Sequence, residues 1–379
     1  MPPSEGKSNL GINRDATMKK TITPKPGIMD IELYVGGKAY AKGAINVVKL
    51  SSNENPLGPS PAAREAYRDQ SDSLAVYPSS DHSDLRRAIA DTYGLKADQI
   101  LCGNGSDEII AFLCQAFAGE CDEVLFTEHG FGMYRICALG AGATPVEVPE
   151  DERVTNVDAL ISRCTDNTKL IFVANPNNPT GTFVSLSEIE RLADGIPQST
   201  ILVLDGAYAE YVEGYDGGAS LVESRKNVVM TRTFSKVYGL GGLRIGWGYA
   251  SVEVIDILTR IRGPFNINRA ALAAASAAVL DEGYVSYCLA DNAKWADFLI
   301  NELRKLGFKC DDTYANFVLA RFANEEEADT VNDLLAENGL IVRQVKGYNL
   351  HNCLRITVGK GGDCIRVISV LKRFKEDQA

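Results

Sequence analysis

The feature that most constrains the fold is an alternation of short apolar runs with amphipathic segments from about residue 50 to residue 250. Two runs, LIFVAN (170–175) and ILVLD (201–205), are apolar at almost every position, which is typical of strands buried on both faces. Segments with helical spacing, such as SDEIIAFLCQAFA (106–118), alternate with such runs. The pattern predicts an α/β fold in which helices cover a mostly parallel sheet.

The pattern changes near residue 264, which predicts a second, smaller domain. Two long helical segments follow, RAALAAASAAVLDEGYV (269–285) and NAKWADFLINELRKLG (292–307). Amphipathic strands are predicted at FKCDDTY (308–314), ANFVLARF (315–322), GLIVRQV (339–345) and CLRITVG (353–359). Helices followed by strands of this kind favour an α+β domain.

These changes give a domain prediction for the whole chain. The polar, Gly/Ser/Pro-rich start is predicted to be a disordered tail. We predict a tail at 1–17, an N-terminal arm at 18–50 that joins the small domain, a large domain at 51–265 and a small α+β domain at 266–379.

Composition excludes several classes of function. A formal net charge of −11 over 379 residues disfavours binding to nucleic acid or to an anionic membrane. Nine scattered cysteines, no CxxC pair and three histidines make a metal site unexpected. The cysteine usage, with no N-terminal signal pattern and no apolar run of membrane length, predicts a cytoplasmic protein.

Polar motifs follow the predicted strands, where α/β sheets bind their ligands. Gly103–Asp107 (GNGSD) opens a helix, whose free N–H groups suit a phosphate, although most such turns only connect a strand to a helix. NPNNPTG (175–181) is a rigid turn that could also clamp a polar ring through Asn178.

Four further residues carry charge or a hydroxyl group near strand ends. Asp205 ends an apolar strand, with Tyr208 three residues later; its carboxylate needs a cation, either a protonated pyridine nitrogen or an arginine. Lys236, after VVMTRTFS, is suited to attack a carbonyl if it lies in a dry cleft, whereas an isolated lysine is more often on the surface. Arg244 suits a phosphate or a surface ion pair.

Together these groups are the ones that pyridoxal phosphate requires. NPNNPTG, DGAY, TFSK and GLRIG occur in the order and at the spacing found in fold-type I pyridoxal-phosphate aminotransferases, which the chain resembles over about residues 18 to 375. The resemblance implies a large domain with a mostly parallel, seven-stranded sheet. SSNENPLGPSP, VYPSS, FGMY and CLRITVG resemble the histidinol-phosphate branch of that family.

The resemblance implies a role for each matching residue. Lys236 would form the Schiff base with the cofactor and transfer the substrate's proton. Asp205 would hold the pyridine nitrogen protonated, Tyr208 and Asn178 would hydrogen-bond the ring oxygen, and Phe131 would stack on the ring. The residues implied in phosphate binding are Gly105, Ser106, Asp107, Thr233, Ser235, Arg244 and, from the neighbouring subunit of a homodimer, Tyr77.

The substrate site follows from the same resemblance. Arg355 and Arg343 would bind the anionic group of the amino donor, or of 2-oxoglutarate and glutamate. Asn53 and Tyr34, the latter from the partner subunit, would close over the substrate. The expected reaction is ping-pong transamination from histidinol phosphate to 2-oxoglutarate in histidine biosynthesis. An aromatic aminotransferase, a lyase or decarboxylase with the same cofactor, and a non-enzymatic module remain alternatives.

Two positions depart from the family pattern. Gly206 stands where the family commonly has glutamate in its D-E-A-Y motif, and Phe131 stands where many members have tyrosine. The first departure predicts altered local packing. The second keeps the aromatic face and loses a hydroxyl group.

Overall fold

The computed structural model describes residues 22–33 and 46–377, which contain thirteen strands and twelve α-helices. The strands are β1 (Val48–Lys49), β2 (Ile100–Gly103), β3 (Glu123–Thr127), β4 (Thr144–Val148), β5 (Thr168–Ala174), β6 (Ile201–Asp205), β7 (Val228–Thr233), β8 (Gly246–Tyr249), β9 (Lys309–Cys310), β10 (Phe317–Arg321), β11 (Leu340–Ile341), β12 (Arg343–Val345) and β13 (Leu350–Thr357). The helices are α1 (Pro61–Arg68), α2 (Ser83–Tyr93), α3 (Ser106–Phe117), α4 (Met133–Ala141), α5 (Val157–Arg163), α6 (Leu186–Gly195), α7 (Ala219–Ser224), α8 (Val252–Ile261), α9 (Arg269–Leu280), α10 (Glu282–Lys305), α11 (Glu325–Glu337) and α12 (Gly361–Glu376).

The largest sheet has seven strands in the order β2-β8-β7-β6-β5-β3-β4. Strand β8 is antiparallel to both neighbours, and the other adjacent pairs are parallel. In β5, Leu170 and Phe172 pack into one hydrophobic cluster, whereas Ile171 and Val173 pack into the cluster on the opposite face. The predicted α/β fold with a mostly parallel, doubly covered sheet is confirmed.

Four strands of this sheet, β2, β5, β6 and β7, end at the same edge. Ala174 is in register with Asp205, and Asp205 is in register with Thr231. At the end of the sheet, Gly103 pairs with Gly246 of the antiparallel strand β8. The polar motifs that follow these strands therefore meet at one edge, which we call the carboxyl edge.

A second sheet has four antiparallel strands in the order β12-β13-β10-β9. A separate hydrophobic cluster joins it to α10, α11 and α12. Strand β1 pairs in parallel with β11, and α9 packs against α1 and α2. The domain boundaries given by the sequence remain a prediction. In the described residues, no helix combines the length and the apolar character needed to cross a membrane.

The structure corrects several local predictions. The helix predicted at 269–285 ends at Leu280, because the Asp281 side chain accepts a hydrogen bond from the Tyr284 N–H and caps α10. The strand predicted at 339–345 is two strands, since β11 pairs with β1 while β12 pairs with β13. The strand predicted at 308–314 is only the two residues of β9. Strand β8 and helix α8 were not predicted.

Candidate active site

A cavity of about 200 Å³ lies at the carboxyl edge, and residues from both large sheets line it. Most of the residues predicted from the sequence meet there. Those that line the cavity are Asn53, Ser106, Asp107, Phe131, Asn178, Asp205, Tyr208, Thr233, Ser235, Lys236, Arg244, Arg343 and Arg355.

One end of the cavity carries Arg244 and several hydrogen-bond donors. Arg244 Nη2 lies 3.1 Å from Asp107 Oδ2, and its Nη1 donates to Ser235 Oγ at 3.4 Å. Thr233 Oγ1 donates to the same Ser235 oxygen at 3.0 Å. Hydroxyl groups and a guanidinium group at one end of a cavity favour phosphate binding.

Helix α3 begins at this end of the cavity with Ser106. Its N-cap is Gly105, and no side chain caps the helix, so the first backbone N–H groups remain available to an anion. Gly105 has φ 82° and ψ 169°, a conformation that is essentially restricted to glycine. A Cβ atom on Gly105 would lie 2.5 Å from Arg244 Nη2. A side chain at this position would therefore push the end of the Arg244 side chain away from the helix terminus.

Asp205 is buried in the wall of the cavity at the end of β6. Its Oδ2 accepts a hydrogen bond from the Tyr134 hydroxyl at 2.7 Å, and its Oδ1 accepts from Thr231 Oγ1 and the Ala207 N–H, both at 3.3 Å. Burial raises the pKa of Asp205, and these three hydrogen bonds oppose that rise. No cation in the described part of the chain forms an ion pair with it. The carboxylate is thus suited to a cationic ligand.

Lys236 and Tyr208 lie together beside a segment that precedes α1. Lys236 Nζ donates to the backbone oxygen of Ser52 at 3.4 Å and lies 5.5 Å from the centre of the Tyr208 ring. The Tyr208 hydroxyl accepts from Asn53 Nδ2 at 2.8 Å. Asn53 is itself fixed by Thr357, whose hydroxyl accepts from the Asn53 N–H at 3.0 Å.

Arg355 projects from β13 into the other end of the cavity. Its Nη1 donates to Asn178 Oδ1, and its Nη2 donates to the Ser51 backbone oxygen at 2.9 Å. Arg343 on β12 is in register with Arg355 and lines the same cavity. Two guanidinium groups at one end of a cavity suit an anionic substrate group.

Of the predicted residues that the structure describes, Gly105 and Tyr77 do not line the cavity; Gly105 is the N-cap of α3, as described above. Tyr77 is 75% exposed and stacks on Phe265 with ring centres 4.6 Å apart. It does not line the cavity of its own chain, and its predicted contact with a partner subunit remains a prediction. Tyr34 lies outside the described residues.

Sequence reasoning missed several residues of the site. Ser51, Ser52 and Tyr348 line the cavity, and Tyr134 hydrogen-bonds to Asp205 from behind the wall. The serines precede the NENP motif, and their backbone oxygens make the contacts, so their side-chain type carried no signal. Tyr134 is the last residue of the FGMY motif, but that motif did not indicate a contact with Asp205; in the structure Tyr134 is fully buried.

The chain is similar to known proteins over most of its length. Residues 45–371 match the family model for aminotransferase class I and II. The histidinol-phosphate aminotransferase of Ruegeria sp. (strain TM1040) is 62% identical over 358 residues, 94% of this chain and 99% of that protein. The enzyme of the same name from Dinoroseobacter shibae is 60% identical over 94% of this chain and 99% of that protein.

A solved structure shares the fold. The histidinol-phosphate aminotransferase from Sinorhizobium meliloti, in complex with pyridoxal-5′-phosphate, superposes with a TM-score of 0.87 at 24% identity, covering 95% of this chain and 100% of that one. At that identity the match supports the fold alone. With the family match and the closely similar relatives, the chain belongs to the aminotransferase class I and II family.

Proposed function

We propose that this protein is a pyridoxal-phosphate-dependent transaminase that transfers the amino group of histidinol phosphate to 2-oxoglutarate. The observation that carries the proposal is one cavity holding Lys236, the buried Asp205, the phosphate-type site at Arg244 and the Arg343–Arg355 pair. Relatives at 62% and 60% identity, both named histidinol-phosphate aminotransferases, support this choice of substrate.

The residues present fit the cofactor at three separate points. The Arg244 guanidinium, the Ser235 hydroxyl and the free N–H groups at the start of α3 would bind its phosphate. Asp205, which lacks a cationic partner in the described structure, would bind the protonated pyridine nitrogen. Lys236 Nζ lies in the same cavity and would bond the aldehyde carbon.

When bound, pyridoxal phosphate supplies an aldehyde and an electron-withdrawing ring that stabilises negative charge on the substrate's Cα. The protein's residues orient that chemistry. Once the substrate's amine has displaced it from the aldehyde carbon, Lys236 Nζ would accept the proton of the substrate's Cα and would return that proton to complete the transfer. Asp205 would keep a proton on the pyridine nitrogen. Tyr208 and Asn178, which both line the cavity, would hydrogen-bond the ring oxygen.

The arginine pair explains how one site can serve both substrates of a ping-pong reaction. Histidinol phosphate has a phosphate and no carboxylate, whereas 2-oxoglutarate offers carboxylates. Arg355 and Arg343 provide planar groups that bind either anion in bidentate fashion. Since the two substrates bind in turn, both can use the same arginines.

A homodimer is part of the proposal. Leu74, Val76 and Tyr77 form an exposed apolar segment, at 81%, 60% and 75% exposure. An exposed apolar segment that includes a tyrosine favours contact with a second copy of the chain. Tyr77 would then reach the cofactor phosphate of the partner's site. A cytoplasmic location completes the proposal and accords with nine cysteines that all remain free thiols.

A comparison of amino donors tests the proposed substrate. The purified enzyme, loaded with pyridoxal phosphate and supplied with 2-oxoglutarate, is assayed with histidinol phosphate, histidinol and phenylalanine. We expect the highest kcat/KM with histidinol phosphate and a large loss with histidinol, which lacks the phosphate that the arginines bind. A higher kcat/KM with phenylalanine would identify an aromatic aminotransferase instead. Donor consumption that does not depend on a keto acid would point to a lyase or decarboxylase.

A further inference from the structure

Tyr134 lies outside the cavity and touches two residues of its wall. Its hydroxyl donates to Asp205 Oδ2 at 2.7 Å, and its ring meets the Phe131 ring edge-on with centres 5.9 Å apart. Tyr134 is fully buried and is absent from the cavity lining. Any effect it has on the reaction must therefore pass through another residue.

The Tyr134 ring is held in one orientation. It lies near the start of α4 and stacks on Phe172 of β5, with ring centres 4.7 Å apart and planes only 8° apart. The Phe131 ring packs edge-on against the same tyrosine ring. A ring packed in this way cannot turn, so the packing sets the position of its hydroxyl oxygen beside Asp205.

The contact with Tyr134 is the shortest hydrogen bond to the Asp205 carboxylate. The bonds from Thr231 Oγ1 and the Ala207 N–H, both at 3.3 Å, go to the other oxygen. In the described part of the chain, Oδ2 thus depends on Tyr134 for its side-chain hydrogen bond. Without the hydroxyl group, one oxygen of a buried carboxylate would lose its donor.

We propose that Tyr134 is a positioning residue for transamination: its hydroxyl fixes the plane of the Asp205 carboxylate and favours its ionised form, so that Asp205 can pair with the pyridine nitrogen of the cofactor. The inference deepens the proposed function and rests on it. Tyr134 itself touches neither substrate nor cofactor.

The surrounding charges agree with this role. Burial raises the pKa of Asp205, the Tyr134 and Thr231 hydroxyls and the Ala207 N–H lower it, and Asp107 from α3 raises it. Burial also raises the pKa of Tyr134 well above its usual range, so the phenol stays protonated and remains a donor. The remaining titratable groups that face this cavity are Lys236, Arg244, Arg343, Arg355, Tyr208 and Tyr348.

Replacing Tyr134 with phenylalanine removes the hydroxyl and keeps the stacked ring. We expect Tyr134→Phe to bind pyridoxal phosphate about ten-fold more weakly, as for loss of a hydrogen bond to a charged group. Its kcat should fall while KM for the amino donor stays unchanged. Tyr249→Phe is the matched control, because Tyr249 is a fully buried tyrosine whose hydroxyl bonds to Gln99 and Glu223 away from the cavity. Equal cofactor affinity in wild type and Tyr134→Phe would overturn the proposal.

A double-mutant cycle in the cofactor-free protein separates this inference from the proposed function. Thermal unfolding at pH 7.5 is measured for the wild type, Tyr134→Phe, Asp205→Asn and the double variant. The fall in Tm caused by Tyr134→Phe should shrink to less than half in the Asp205→Asn background. Equal falls would show that the hydroxyl does not act through Asp205. A wild-type protein that bound no pyridoxal phosphate would instead overturn the proposed function. The cycle would still show whether the Tyr134 hydroxyl acts through Asp205.

Discussion

Arg343 and Arg355 stand directly opposite each other on the antiparallel strands β12 and β13. Directly opposed residues project from the same face of a sheet, and both arginines reach the same cavity. Two guanidinium groups that reach one cavity from the same face of a sheet suit a planar anion. We therefore expect this pair to bind the anionic group of the substrates.

Removal of either arginine should weaken both substrates. We expect Arg355→Gln and Arg343→Gln to lower kcat/KM for histidinol phosphate and for 2-oxoglutarate by about 10- to 100-fold, through KM, as for loss of a charged hydrogen bond. Arg321→Gln on the neighbouring strand β10 is the control, because Arg321 pairs with Asp311 and does not line the cavity. An unchanged KM for both substrates in both variants would refute this role.

Gly105 should favour cofactor binding, because a Cβ atom there would lie 2.5 Å from Arg244 Nη2 and would displace this guanidinium group from the proposed phosphate site. Gly105→Ala is expected to cost about 1–3 kcal/mol of stability from backbone strain and, in addition, to weaken binding of pyridoxal phosphate measured by fluorescence titration. Gly94→Ala is the control: Gly94 also has a positive φ, of 67°, but a Cβ atom there would meet nothing within 4 Å. Equal cofactor affinity in the two variants would argue against the phosphate site.

Much of the site follows from sequence because of one geometric rule. The carboxyl ends of neighbouring parallel strands meet at one edge. Asp205 at the end of β6, and Asn178 and Lys236 in the segments after β5 and β7, therefore lie around one cavity. The type of each residue then restricts its chemistry. No knowledge of the loops between the strands is needed for that step.

The rest depends on contacts that periodicity does not encode. Tyr134 resembles a core aromatic residue, and its partner Asp205 lies 71 positions away in sequence. Arg343 lies opposite Arg355 only because of the register between β12 and β13. It also requires residues 339–345 to form two strands that belong to different sheets. Strand β8, GWGY, is only four residues long and half glycine, a composition that does not favour strands.

Tyr77 should act on the site of the partner subunit. Coexpression of Lys236→Ala and Tyr77→Ala chains with different tags yields a hybrid dimer in which one site has both Lys236 and the partner's Tyr77. We expect that hybrid to recover about half of the wild-type activity, because one of two symmetric sites is intact. Each homodimeric variant serves as a control. A hybrid no more active than the Tyr77→Ala homodimer would place Tyr77 at its own chain's site or at none.

His82 should make the protein less stable in acid. It is buried at the start of α2, and burial, with a contribution from Arg262, lowers its pKa to about 4. An unfolded histidine has a pKa of about 6.5, so between these values the unfolded chain binds more protons and stability falls as pH falls. Asp81 and Arg86 also face the imidazole.

The variant His82→Asn tests this assignment, since asparagine tolerates the positive φ of 52° at this position and can cap the helix. The difference in Tm between pH 7.5 and pH 5 should be smaller in His82→Asn than in the wild type. If the difference in Tm between the two pH values is the same in both proteins, the loss of stability in acid comes from other groups.

The most direct test of the account is to find where the cofactor bonds to the protein. The enzyme loaded with pyridoxal phosphate is reduced with borohydride, digested and mapped by mass spectrometry, with Lys236→Ala treated in parallel. We predict one pyridoxyl label, on Lys236, and none at that peptide in the variant. A label on a different lysine of the wild type, or an unlabelled Lys236, would contradict the assignment of this cavity as the active site.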